Sequence, residues 1–117
     1  MEFYDSYVFI DGIQSKEGLP TDTKITTLSS NLAEVYYVLL RIFNKKTADH
    51  FFNKIKEIAQ DIPQEIIPEA MQFRYEHRKK KFSHADALGY TYARKHNITF
   101  VTGDKAFKGL EGVRVIR

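Results

Sequence analysis

Ile98-Thr99-Phe100-Val101-Thr102-Gly103-Asp104 is an apolar, β-branched run that stops on a carboxylate. Apolar residues in succession, rather than in alternation, mark a strand buried on both faces. Eighteen residues before Asp104 stands Asp86, inside Ser83-His84-Ala85-Asp86-Ala87-Leu88, a segment that opens a helix. An acid where a strand stops and another where a helix starts is how an α/β fold assembles an acidic pocket. The N-terminal half supplies two more: Asp5 after Glu2-Phe3-Tyr4, and Glu34 within Leu32-Ala33-Glu34-Val35-Tyr36-Tyr37-Val38-Leu39-Leu40. Four carboxylates in these settings point to a divalent cation and phosphodiester chemistry.

The bulk properties agree. A chain of 117 residues is expected to form one domain, 1–117, with room for a real core. Its 43% hydrophobic and 14% aromatic content is that of a folded globule. The absence of cysteine excludes thiolate metal sites and disulfides, so a reducing, cytoplasmic setting is expected. The longest apolar run, Val35 to Leu40, is far short of a membrane span, and the N-terminus does not resemble a signal peptide. A net charge of +3 and a pI near 9.1 mildly favour a polyanionic partner.

Periodicity predicts a first strand at Phe3-Tyr4 running into a short helix, a polar connection over Gln14 to Thr23, and a second strand over Lys24 to Leu28. Helices are predicted from Ser30 to about Phe43 and from Thr47 to Gln60. A strand is expected at Ile62 to Ile67, then a helix opened by Pro68 and reaching about Lys80. A further helix over His84 to Lys95 precedes strands at Ile98 to Thr102 and Val113 to Ile116. Strands separated by helices predict an α/β fold, a three-layer α/β/α sandwich around a mostly parallel sheet. Ligands of such sheets sit at the carboxyl ends of the strands, where Asp5 and Asp104 fall. Glu34 and Asp86 are expected in first helical turns, which short connections return to the same rim.

Each acid also has a plainer reading. Asp86 stands three residues after Ser83, the spacing of a capping box, and Glu34 stands the same distance after Asn31. Asp104 would cap the turn Lys105-Ala106-Phe107, and Asp5 would end a strand. Two details favour a site. Glu34 lies in a helix apolar on nearly all sides, where an unpaired carboxylate is costly to bury. Asp86 is flanked by Ala85, Ala87 and Gly89, which let the helix start approach the strands closely.

These residues carry a family resemblance. Phe3-Tyr4-Asp5-Ser6-Tyr7-Val8-Phe9-Ile10 resembles the opening motif of PIN domains, and Leu32-Ala33-Glu34-Val35 resembles their second. Ala85-Asp86-Ala87-Leu88 and Val101-Thr102-Gly103-Asp104, with Phe107 and the closing Val113-Arg114-Val115-Ile116, resemble the third and fourth. The subgroup most similar is the VapC-type toxins, small ribonucleases paired with an antitoxin. The resemblance implies a metal-dependent endoribonuclease, the toxin of a type II toxin–antitoxin pair, acting as a homodimer. There are departures. About twenty residues separate Asp5 from the second strand, fewer than is usual, in a segment that often helps to bind the antitoxin. Tyr7 replaces a small polar residue, and Asp11 is a second candidate for the first acid.

In this reading Mg²⁺ or Mn²⁺ is held chiefly by Asp5 and Asp104, with Glu34 and Asp86 acting through water, and Ser6 and Thr102 donate hydrogen bonds to the carboxylates. Without thiolates or paired histidines, zinc does not fit. Arg74, His77, Arg78, Lys79, Lys80 and Lys81 form a basic cluster, read either as a solvated helix end or, at Arg78 to Lys81, as a contact to RNA phosphates. Tyr36, Tyr37, Tyr90 and Tyr92 would serve a core, a dimer interface or base stacking, and His84 a capping turn or proton transfer. Two other classes are a PIN-fold interaction module without catalysis and an Mg²⁺-binding receiver domain. The latter needs paired acids after the first strand, where this chain has Asp5-Ser6.

Overall fold

In the structure, a computed structural model, residues 1–19 and 24–116 are described. The elements run β1 (Glu2–Tyr4), α1 (Ser6–Gln14), β2 (Ile25–Leu28), α2 (Ser29–Ile42), α3 (Lys45–Ile55), β3 (Ala59–Gln60), α4 (Ile67–Glu76), α5 (His84–Lys95), β4 (Thr99–Thr102) and β5 (Val113–Val115). The strands pair in the order β3-β2-β1-β4-β5, and every pairing is parallel. β1 lies at the centre, with Tyr4 opposite Val101 of β4.

Two apolar clusters fill the two sides of the sheet. Phe9, Ile10, Val35, Leu39 and Ile55 gather α1, α2 and α3 on one side. Phe3, Ile66, Ala87, Phe100 and Phe107 gather α4 and α5 on the other. Strands buried on both faces need apolar or small residues at every position, and Ile25-Thr26-Thr27-Leu28 is buried throughout. The result is the expected three-layer α/β/α sandwich.

α5 shows how local sequence sets the frame. Ser83 and Asp86 close a capping box at its start. At its end Asn97 takes a positive φ of 54°, Asn97 N donates to Arg94 O and Ile98 N donates to Ala93 O at 3.0 Å. That is a Schellman stop, which turns the chain straight into β4. Gly89 lets the helix lie close on the sheet, since a Cβ there would come within 2.7 Å of the Phe3 ring.

The expectations fail between residues 56 and 68. α3 ends at Ile55, a 3-10 turn follows at Lys56–Ile58, and the edge strand is Ala59–Gln60, inside the predicted helix. The strand expected at Ile62 to Ile67 is absent. Pro63 and Pro68 have no N–H to give a ladder, and Ile66, only 2% exposed, is instead packed into the core from a 3-10 turn that runs into α4. α4 stops at Glu76, and Arg78–Lys80 form a separate 3-10 turn. α2 begins at Ser29, so Glu34 lies in its second turn rather than its first. Part of the predicted polar connection, 20–23, lies outside the described residues.

Candidate active site

β1 and β4 are neighbours, so the acids that follow them are carried to one rim. Asp5 leaves β1 and its N–H donates to Val101 O at 3.0 Å. The Asp5 side chain is 3% exposed. Its Oδ2 accepts from the Thr102 hydroxyl at 2.8 Å, and its Oδ1 accepts from Ser6 N at 2.9 Å and from Asn31 Nδ2 at 3.4 Å. Asn31 Nδ2 also donates to Ser6 Oγ at 3.0 Å. Thr102 works in both directions, because its Oγ1 accepts from Asp104 N at 3.0 Å while its proton goes to Asp5.

Asp104 is exposed and caps the following turn, with Oδ1 accepting from Ala106 N at 2.9 Å. Asp86 is half-buried and its Oδ2 accepts from Ser83 N at 2.9 Å. The plainer cap readings of both acids are therefore true, and each still leaves an oxygen: among the described residues Asp86 Oδ1 and Asp104 Oδ2 take no hydrogen bond. The cap reading of Glu34 does not hold. Asn31 is fully buried inside α2 and faces Asp5 and Ser6, while Glu34 has no hydrogen bond or ion pair among the described residues.

The four predicted acids line one cleft of about 290 Å³, together with Tyr7, Asp11, Lys81, Ser83 and Gly103. Their charges act on one another. Burial, then the charge of Asp86 and to a lesser degree that of Glu34, pushes the Asp5 carboxyl up to about 7 against the pull of its Thr102 and Ser6 hydrogen bonds. Burial also raises Asp86, with Glu34 and Asp104 adding to the rise and the Ser83 hydrogen bonds opposing it. A cation would relieve this repulsion, and the donors that could hold one are the carboxylate oxygens of Asp5, Glu34, Asp86 and Asp104. Among the described residues no three such groups lie close enough together to enclose an ion as they stand. The set fits a hard ion that keeps part of its water shell.

The basic cluster divides. Lys81, with a left-handed φ of 59°, lines the acidic cleft. Arg78 lies over the Tyr75 ring at 4.4 Å, Lys80 Nζ donates to Ala106 O at 2.9 Å, and Lys79 borders a different depression. His84 is exposed and is not among the lining residues. Tyr90 is buried with its hydroxyl on Glu111 O, Tyr92 packs on Phe3, and Tyr36 donates to Asp49 Oδ1 at 2.6 Å, so these serve the interior. Sequence reasoning missed Asn31 and Tyr75. A polar side chain three positions into an apolar helix was the available signal for Asn31.

A toxin–antitoxin complex from Klebsiella pneumoniae contains a similar chain, with a TM-score of 0.71 and 19% identity over 98% of this chain and 97% of that one. VapC20 of Mycobacterium tuberculosis, a toxin described as cleaving the sarcin–ricin loop, is similar with a TM-score of 0.70 and 16% identity, over 97% and 99%. No curated protein matches the chain in sequence. The PIN-domain family model matches residues 7–113, starting just after Asp5 and taking in the other three acids. With that match spanning nearly the whole chain, on a parallel sheet that brings these acids to one rim, the protein belongs to the PIN-domain family.

Proposed function

We propose that this chain is a metal-dependent endoribonuclease and the toxin of a toxin–antitoxin pair. The observation that carries the reading is the convergence of Asp5, Glu34, Asp86 and Asp104 on one cleft at the carboxyl ends of β1 and β4. The toxin role is supported by the likeness to the Klebsiella complex and to VapC20. Asp5 and Asp104 are the principal ligands for Mg²⁺ or Mn²⁺, and Glu34 and Asp86 act through water. When bound, the ion supplies a more acidic water as nucleophile and stabilises charge on the leaving oxygen. The chain's own residues prepare for this. Thr102 and Asn31 hold Asp5 in one orientation, and the capping box does the same for Asp86. Glu34, with no competing bond, is the acid best placed to accept a proton from an attacking water.

The same proposal includes a cognate antitoxin and a homodimer, the latter supported by exposed Tyr37, Leu40, Ile42 and Phe43 at the end of α2. No helix among the described residues is long and apolar enough to cross a membrane, and a cytoplasmic setting belongs to the proposal. A receiver domain is excluded by the strand order and by the family match. The test is hydrolysis of a structured RNA with Mn²⁺ against an EDTA control, in the native protein and in Asp104→Asn. Cleavage that needs both the ion and Asp104 supports the reading. A native protein inert with Mn²⁺ and Mg²⁺ would make this a PIN-fold interaction module.

A further inference from the structure

Next to the acidic cleft lies a second depression of about 350 Å³, lined by Met71, Arg74, Tyr75, Arg78, Lys81 and Phe82. Lys81 borders both hollows, so a carboxylate-lined cleft and a depression lined by Arg74, Arg78 and two aromatic rings meet at one residue. The segment between them is tied down by local bonds. Lys81 N donates to Arg78 O at 3.2 Å, and the left-handed backbone at Lys81 turns the chain sharply. Phe82 then anchors in the core, stacked on Phe107 at 4.2 Å, and Ser83 caps α5. On the far side of this segment Tyr75 is 67% exposed, with the Arg78 guanidinium over its ring. An exposed tyrosine paired with an arginine offers an aromatic ring and a guanidinium to a base, and unpaired bases stack on such surfaces.

We infer that this groove is the subsite for the nucleotide next to the scissile phosphate: Lys81 holds a backbone phosphate at the boundary and the Tyr75–Arg78 pair stacks one unpaired base. The inference rests on the ribonuclease reading and narrows its substrate to RNA that is single-stranded beside the cut. It also assigns the basic cluster unequally, since Lys79 lies outside the groove.

Binding can be separated from cleavage by titrating a short fluorescein-labelled single-stranded RNA in EDTA, following anisotropy, with a duplex of the same sequence as comparison. Tyr75→Ala is expected to weaken binding of the single strand about tenfold, to leave its salt dependence unchanged, and to leave the duplex unaffected. Tyr75→Phe should restore binding, which a loss of folding would not. Lys81→Gln should lower the slope of log K against log salt by about 0.7, while Lys79→Gln should leave it as it is. Native-like affinity in Tyr75→Ala, or an equal loss for the duplex, overturns the subsite. Native protein that cleaves RNA with Mn²⁺ yet shows these variants indistinguishable refutes the subsite alone. Binding that follows the expected pattern in a protein that never cleaves refutes the nuclease and keeps the subsite.

Discussion

The inner and outer walls of the cleft are built on opposite terms. Asp5, on the inner wall, is buried and receives hydrogen bonds from Thr102, Ser6 and Asn31, so its position is fixed and its charge is costly. Asp104 and Glu34, on the outer wall, are wholly or partly exposed, and Glu34 is held by no bond among the described residues. Such groups are screened by water, and Glu34 is free to reorient while Asp104 is held through one oxygen only. The contrast teaches a division of labour: the inner carboxylate defines where a cation must sit, and the outer ones adjust to it. A site made only of inner acids would resist ionisation, and one made only of outer acids would not hold a geometry.

The largest test of that contrast is Asp5→Asn. It keeps the shape and removes the fixed charge, and we expect RNA hydrolysis to fall by about a hundredfold or more, by analogy with the loss of other preorganised charges. The native protein should be stabilised by Mn²⁺, by about 2.7 kcal/mol at a hundredfold excess over its dissociation constant, and Asp5→Asn should lose most of that gain. Thermal melts with and without the ion measure it. Full activity in Asp5→Asn would break the comparison and turn attention to Asp11, which borders the same cleft.

The second test is pH. The Asp5 carboxyl stands near 7 in the fold, above its unfolded value, so the folded state binds the proton more tightly. Its contribution to stability is therefore fully present below about pH 4 and lost as pH rises through about 7. Without divalent ions, stability should therefore fall as pH rises across that window. Melting curves in EDTA for native protein and Asp5→Asn should differ in that slope, and identical slopes would deny the inner wall its special cost.

Thr102→Val ranks third. It keeps the shape but takes away the donor to Asp5 and the acceptor of Asp104 N, and should cost about 1–3 kcal/mol in denaturant unfolding. Its activity should fall by about tenfold to a hundredfold, as for other supporting partners of ligands. The smallest effect on folding is expected for Glu34→Gln. On the outer wall, it should change the unfolding free energy by no more than a surface substitution does, about 0.5 kcal/mol, while slowing hydrolysis. A large loss of stability in that variant would mean that Glu34 belongs with Asp5.

Much of this was readable in the chain before its fold was known. The strands that carry the site are runs of β-branched and aromatic residues, and the Ser83–Asp86 spacing signals its capping box directly. Reading failed where tertiary packing overrode the local pattern. Ile62, Ile66 and Ile67 look like a strand, but prolines at 63 and 68 spoil the ladder and the two-residue β3 carries the edge instead. Asn31 looks like a cap, and only the approach of β1 to α2 shows that it faces Asp5. The basic residues from Arg78 to Lys81 look equivalent in sequence. One left-handed residue in a tight turn separates their directions, and no periodicity encodes that.

The capping box at Asp86 has a consequence for how this protein would decay. One oxygen of that carboxylate holds the start of α5, and the same residue lines the cleft. A descendant that gave up catalysis and lived on as a binding module would still be selected to keep Asp86, for its helix. Glu34, with no bond to any described residue, would be the first to drift. Of the four acids, an intact Glu34 is thus the more telling sign that a lineage still uses the chemistry, and Asp86 the least.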